Sequence, residues 1–377
     1  MSDIARCTGY SVNTVSHALN GIDDVRESTK KLILSTAKKL GYIPNSAAIS
    51  MRNGRTMAVA AIIPDITGLY FPIMVKLLEN RLRALGYDLI IMNTSENPDQ
   101  ELQCVTSALS KNVDGVIICP SMHNCDALDL MERHGVPFVL MGRYFRDRSY
   151  ESVVADDFRS GYLLTDHMIG LGHTKIAYIG ASTHVSSSAE RLEGYRAALS
   201  AQGIVPDDRL VRICMTPEDI TAAAVEIAEH RLDCTSVFGF CDMFCWHIAS
   251  ILAGHGIRIP DGISMGGVDD LRSHIIFPFD LTSVDCPKEQ MADCVIKSLF
   301  SRIGGDGAKS IRHIIEPTLV VRTSVKSLYT TLFRSAARQP ALIRAAYYLQ
   351  NRFKFRHFMW YNFVGWKNDI FPKGSEL

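Results

Sequence analysis

The sequence of 377 residues has no surplus of charge, with 40 lysines and arginines against 40 aspartates and glutamates. A chain-wide field that gathers nucleic acid or membrane is excluded, so any such attraction has to come from a local cluster. Catalytic signatures are equally scarce: there is no nucleophile elbow turning a serine from strand to helix, no Walker loop, no dinucleotide glycine fingerprint and no His-Glu-x-x-His. That argues against an enzyme. No secretory signal opens the sequence, so the ten cysteines are expected to be reduced thiols in the cytoplasm and not a disulfide framework. The same lack sets aside a secreted sugar-binding protein. The nearest approach to a metal cluster, Cys241 to His247, has no common zinc spacing and no second ligand pair. Buried structural cysteines are expected there, and neither a metal nor a cofactor.

What the sequence does hold starts in its first 55 residues. Ser11 is a good N-cap and Asn20-Gly21 a stop, so they bracket a short helix. Val15, Ala18 and Leu19 fall on one side of it by helical spacing, while Val12, Asn13, Ser16 and His17 fall on the other. Ser2 to Thr8 makes a second short helix, and Gly9-Tyr10 supplies the tight corner between the two. Downstream, Ser28-Thr29 is expected to cap a third helix with Leu32, Ile33, Thr36, Ala37 and Leu40 as its packing stripe. The pattern is that of a helix-turn-helix, although any small helical bundle has capped helices joined by glycine turns. Arg6, Lys30, Lys31, Lys38, Lys39, Arg52 and Arg55 outnumber the nearby acids, giving this segment a local excess of roughly four positive charges.

Pro44 then stops the third helix, and about two helical turns follow before Asn53-Gly54 ends them. A helix that short is marginal alone in water, so it is expected to fold only when held. Ile4-Ala5, Gly9, Thr14-Val15-Ser16-His17, Leu40-Gly41-Tyr42-Ile43-Pro44-Asn45 and Met51 stand in one register. In these residues the sequence resembles the lactose/galactose repressor family. The resemblance implies a helix-turn-helix headpiece over 1–44 and a hinge helix and linker over 45–56. It places Val12, Asn13 and His17 at base-reading positions in the major groove and Thr14, Ser16 and Asn20 near phosphates. Ala48 and Met51 fall in the minor groove, with Met51 at the position of an intercalating wedge. Two departures stand out. The family begins several residues earlier, with a threonine capping the first helix, which suggests a true start upstream of Met1. Thr8 and Tyr10 replace small aliphatic residues, which brings the packing of the first helix into question.

From Met57 onward, apolar runs alternate with amphipathic stretches: 57–63, 88–92, 115–119, 138–141, 152–155, 175–179, 236–240 and 263–268. Gly86, Gly135, Gly172 and Gly256 sit where helices hand over to strands. The rhythm argues for an α/β body of parallel sheets covered on both faces, and its length suits two such sheets. Pro64-Asp65-Ile66-Thr67, Leu171-Gly172-His173, Arg191-Leu192-Glu193-Gly194-Tyr195 and Gly267-Val268-Asp269-Asp270 carry the family likeness onward. It implies two flavodoxin-like subdomains of periplasmic-binding-protein type over 57–326, with three crossings near 156, 285 and 317 and a ligand cleft between them. Ligands of open α/β sheets sit beyond the carboxyl ends of the strands. Asp65, Arg143, Asp156, Asp242 and Asp269 stand there, and the likeness adds Arg191, Tyr70 and Phe71 as holders of sugar hydroxyls or ring faces. For Asp242 and Asp270 a helix-capping role is an equal alternative. Cys241 replaces the usual asparagine and Gly68-Leu69 the usual Asn-Pro, so the effector's identity does not transfer.

The segment 327–377 is basic and strongly aromatic around Tyr347 to Tyr361. A frameshifted or fused remnant, a surface-binding segment and an oligomerisation helix are its alternative readings. Taken whole, the resemblance implies a homodimer, or a tetramer built from it, binding a pseudo-palindromic double-stranded DNA operator. A small-molecule effector, a sugar or sugar derivative, would act as inducer or corepressor. The competing reading is a ligand-binding module whose headpiece no longer binds DNA.

Overall fold

The computed structural model describes residues 1–22, 24–43, 54–271, 279–305 and 311–329. The hinge positions Ala48 and Met51, and most of the basic tail, therefore lie outside the described residues.

Helices α1 (Ser2–Thr8), α2 (Val12–Leu19) and α3 (Glu27–Lys39) form the headpiece. Gly9, at φ 74°, ends α1 in the left-handed conformation that a side chain would resist. Ile4, Val15, Ala18, Ile33 and Ala37 form its buried core, with Leu19, Val25 and Tyr42 packed against them. Two expectations for α3 need correction. The helix starts at Glu27 with no side-chain cap from Ser28 or Thr29. Leu32 and Leu40 are 48% and 47% exposed, because a core this small takes only the i, i+4 stripe of Ile33 and Ala37. The substitutions in the first corner are accommodated. Thr8 donates to the Ile4 carbonyl at 2.7 Å, and the Tyr10 hydroxyl accepts from Thr29 at 3.3 Å.

The body is two six-stranded sheets. The first is ordered β11-β5-β4-β3-β1-β2 and all parallel, from β1 (Ala58–Ile63), β2 (Asp88–Asn93), β3 (Gly115–Ile118), β4 (Phe138–Met141), β5 (Ser152–Ala155) and β11 (Arg312–Ile315). The second repeats the order as β12-β10-β9-β8-β6-β7, from β6 (Ile176–Gly180), β7 (Val211–Ile213), β8 (Ser236–Gly239), β9 (Ser264–Val268), β10 (Thr282–Asp285) and β12 (Thr318–Val320). Only β12, an edge strand, runs antiparallel to its neighbour. Alternation along β1 sends Val59 into one core and Ala60 and Ile62 into another, as a strand covered on both faces requires. The chain passes between sheets three times: after β5, after β10 and between β11 and β12.

Helices α4 (Tyr70–Ala84), α5 (Pro98–Ser110), α6 (Asp126–Arg133) and α11 (Lys288–Ile303) serve the first sheet, and α7 (Asp157–Gly170), α8 (Ser186–Ala201), α9 (Pro217–Ala228) and α10 (Asp242–Gly254) the second. Among the described residues, no helix is long and apolar enough to cross a membrane.

Candidate functional site

Two glycines build the centre of the body. Gly161 of α7 and Gly194 of α8 face the opposite helix so closely that a Cβ on either would lie 2.1 Å from the Arg191 carbonyl oxygen or 2.0 Å from that of Phe158. Glycine inside a helix costs about 1 kcal/mol of helix propensity, and here the backbones approach in return. That approach sets Arg191 of α8 against the first turn of α7. Its Nε donates to Asp157 Oδ1 at 2.8 Å and its Nη1 to the Phe240 carbonyl at 2.7 Å, and Nη2 lies 3.6 Å from Asp269 Oδ1. The guanidinium also stands 4.6 Å from the centre of the Phe240 ring, within cation–π range.

Burial dominates the electrostatics. Loss of solvent pushes Asp157 up to about 6, even with Arg191 pulling it down. Burial would lower the Arg191 value, but the Asp157 and Asp269 carboxylates outweigh it and hold the guanidinium charged. Asp242, the first residue of α10, is driven up to about 7 by desolvation and by Asp269. Its carboxylate accepts from Ser283 at 2.6 Å and from the Leu271 amide at 2.8 Å, and Gly267 leaves the room, since a Cβ there would lie 2.5 Å from Asp242 Oδ1. Asp242 thus ties the 269–271 loop to β10 and does not cap its helix. Asp269 has φ 102°, a conformation that side chains rarely adopt, at the carboxyl end of β9. Such strain persists only where surroundings over-determine it and is typical of ligand sites. Asp270 pairs with Arg322 at 2.6 Å.

Tyr70 opens α4 from the first subdomain, edge-on to Phe71 at 5.4 Å between ring centres. Burial and Asp269 keep its phenol protonated, and the hydroxyl donates to the Met291 sulfur at 3.2 Å. The structure thus gathers Arg191, Asp269, Asp242 and Tyr70 around the strand ends of both subdomains. It does not bring every expected residue there. Asp156 is the N-cap of α7, accepting from the Arg159 amide at 2.8 Å, and the next residue, Asp157, reaches Arg191 in its place. Asp65 is exposed and folds back on Thr67 at 2.8 Å. Arg143 is held bidentately by Glu96 at 2.6 and 2.8 Å and also donates to the Pro120 carbonyl. Asp157 and Phe240 are the residues that position alone does not single out. The doubled Asp156-Asp157 and the mid-helix Gly161 are the signals that point to the first. The wall between subdomains is closed by Ser186, which accepts from the Tyr144 amide at 3.2 Å, and by His184 stacked 4.5 Å from His123.

The headpiece presents a second surface. Ser11 accepts from the Thr14 amide at 3.0 Å and shares a 2.9 Å hydrogen bond with the Thr14 hydroxyl. Val12 is 46% exposed and Asn13 is exposed, while Thr14, Ser16, His17 and Asn20 are half-buried around the same helix. His17 Nδ1 lies 2.5 Å from Asp24 Oδ2, which orients the ring and leaves Nε2 available. The Asn20 amide donates to the Ser16 carbonyl and sits 3.3 Å from its hydroxyl. One expectation needs correction: Gly262 to Gly266 does carry the Gly-x-Ser-x-Gly spacing of a serine elbow, but Ser264 is buried as the first residue of β9 and does not turn from strand into helix. Cys245 donates to the Gly266 carbonyl at 3.2 Å, and among the described residues no group of three metal-ligating side chains forms.

Comparison with known proteins gives two family matches. The model for bacterial regulatory proteins of the lacI family matches residues 1–45, and that for periplasmic binding proteins and the sugar-binding domain of the LacI family matches 56–323. The HTH-type transcriptional repressor PurR of Mannheimia succiniciproducens is 28% identical over 330 residues, spanning 87% of this chain and 99% of the relative. Among solved structures, the transcriptional regulator CelR in complex with cellobiose is similar at TM-score 0.64 and 28% identity, covering 85% of this chain and 98% of that one. The lac repressor dimer bound to operator and the anti-inducer ONPF has TM-score 0.75 at 20% identity, covering 86% and 98%, and shows the likeness of fold alone.

Proposed function

Because the chain belongs to the LacI family of bacterial regulatory proteins, a family of DNA-binding transcriptional regulators with an effector domain, we propose how its own residues divide that work. Val12, Asn13 and His17 of α2 read base edges in the major groove of the operator, and Thr14, Ser16 and Asn20 fix the helix to phosphates. With Asp24 accepting from Nδ1, the His17 ring offers Nε2 as an acceptor when neutral and as a donor to guanine when protonated. Two copies bind a pseudo-palindromic site as a homodimer. The protein works on DNA in the cytoplasm and catalyses no reaction.

The effector sits at the strand ends around Arg191, Asp269, Asp157, Asp242 and Tyr70. Sugar hydroxyls donate to the carboxylates, and the Tyr70, Phe71 and Phe240 rings cover apolar faces. That the relatives include a regulator solved with cellobiose and an Enterococcus faecium regulator solved with ribose supports a sugar-like ligand. The carrying observation is that Asp157 and Asp269 of one subdomain share the buried Arg191 and that both carboxylates act on the Tyr70 phenol of the other. A ligand that touches it touches both subdomains, so binding biases their relative placement.

The test is selection of a DNA site from a random duplex library by the full chain, followed by titration of that site with and without candidate sugars and nucleosides. The proposal expects a symmetric selected site and at least one ligand that shifts operator affinity in wild type but not in Arg191→Ala. Failure to enrich any sequence above non-specific binding at physiological salt would overturn it.

A further inference from the structure

A second site lies away from the strand ends. The loop between β4 and β5 folds over the β5 and β11 edge of the first sheet and leaves a cavity of about 240 Å3. Three arginines line it, Arg146, Arg148 and Arg312, together with Tyr144 and the hydroxyl-bearing Ser149 and Ser152, and no carboxylate is among its lining residues. Like charges gather in this way at a cost unless an anion balances them.

The three cations are not equivalent. The Arg312 guanidinium is laid over the Tyr144 ring, 4.0 Å from its centre, which fixes its place without neutralising it. Neither Arg312 nor Arg148 makes an ion pair within 4 Å among the described residues. Asp129 and Asp147 act on Arg148 electrostatically, and Asp129 also accepts from the Tyr150 hydroxyl at 3.1 Å. Arg146 alone is engaged, reaching Glu193 at 3.1 Å and Glu190 at 3.8 Å on α8 of the other subdomain.

We propose that this cavity binds a phosphate group, free or as a small phosphate monoester, between Arg148 and Arg312, with Arg146 as a third contact. Planar guanidinium forks match the tetrahedral oxyanion and can each supply two donors, and the serine hydroxyls complete the oxygen shell. The volume is that of a small metabolite. Because Arg146 is shared with Glu190 and Glu193, a phosphate that draws it inward loosens the clamp between the loop and α8. The site is then a second input to the subdomain arrangement, chemically distinct from the carboxylate-rich cleft.

The experiment is calorimetric titration of the full chain with inorganic phosphate at constant ionic strength, with glucose 6-phosphate and sodium chloride as further arms. One saturable phosphate site is expected, weakened by about tenfold for each of Arg148→Gln and Arg312→Gln. Lys30→Gln/Lys31→Gln in the headpiece should leave that site unchanged, and Glu193→Gln should tighten it by releasing Arg146. Tighter binding of the ester assigns the site to a metabolite, and equal binding assigns it to free phosphate. Should Arg312→Gln lose its cooperative thermal unfolding, Arg148→Gln alone, in an exposed loop, carries the test. Phosphate affinity that survives the arginine changes, falls only with the headpiece lysines, or equals that of chloride would overturn the proposal. Unchanged affinity in Glu193→Gln would remove Arg146 from it.

Discussion

In the headpiece, the groups that we assign to DNA stand outside a core of five buried side chains, each in water or hydrogen-bonded to a near neighbour in sequence, as His17 is to Asp24. In the body, the groups that we assign to the effector are buried among elements of two sheets, and their hydrogen bonds go to partners distant in sequence. The difference is one of where free energy is held. A surface that reads DNA needs little desolvation in the free protein but has little apolar area beneath it. A cleft that grips a small polar ligand holds carboxylates and a guanidinium out of water, and needs the large core around it to keep them there. Damage should accordingly spread differently: loss of a packing residue is felt as lost structure in the head, and loss of a charge as lost structure in the body.

The sharpest test of that contrast is Arg191→Ala. It leaves Asp157 and Asp269 buried without their shared cation, an imbalance that typically costs about 3–5 kcal/mol. Denaturant unfolding of the body should shift by that amount and effector binding should be lost, while a body that unfolds as wild type would remove Arg191 from the frame of the fold. Next in size is Ile33→Ala in the headpiece. Truncating a fully buried isoleucine costs about 2–5 kcal/mol, which approaches the whole stability of so small a unit. Operator binding should fail, with the unfolding of the body unmoved. If both transitions move together, head and body are one cooperative unit and the contrast breaks.

The third test uses pH. Asp242, held up at about 7, and Asp157, at about 6, both titrate above the ordinary unfolded value of about 3.9. The native state therefore keeps protons that the unfolded chain has released. The stabilisation is complete below about pH 4 and is lost as pH rises through 6 and 7. His167 and His173, which burial holds below the usual imidazole range, act in the opposite sense, losing stability as pH falls. Comparing wild type with Asp242→Asn isolates the carboxylate. The variant should match wild type below about pH 4 and exceed it by up to about 4 kcal/mol at pH 8 in denaturant midpoints. A gap that stays constant with pH would show that Asp242 is ionised throughout. Among the described residues no headpiece carboxylate is buried, so a headpiece transition followed separately should move less over the same range.

Legibility in the sequence divides along the same line. The N-cap Ser11, the αL Gly9 and the buried Val15 and Ala18 follow from local rules, since a two-turn helix is governed by its own caps and periodicity. The interior strands follow from apolar runs. The short strands β7, β10, β11 and β12 do not, because three or four residues such as Thr282–Asp285 carry no apolar pattern. Their buried hydroxyls are satisfied by distant partners instead, as when Ser283 donates to Asp242. The cleft is legible to within one residue. Polar positions after strands point to its rim, but which of two adjacent aspartates turns inward depends on where a helix starts, and that in turn on the Gly161 contact with Arg191.

That one-residue distinction gives the last and smallest prediction. Asp156 and Asp157 are neighbours of the same chemistry, yet the first spends its carboxylate on the Arg159 amide and the second on Arg191. Asp156→Ala removes an N-cap and should cost about 1 kcal/mol of stability, leaving effector affinity within about twofold. Asp157→Asn keeps the shape and a hydrogen-bond acceptor but removes the charge that balances Arg191, so it should cost stability and also alter effector affinity by well over twofold. Denaturation and effector titration of both variants separate the two roles. Were Asp156→Ala to abolish effector binding while Asp157→Asn left it intact, the ligand would be meeting the helix cap, and the buried Arg191–Asp157 pair would belong to the core of the body and not to its cleft.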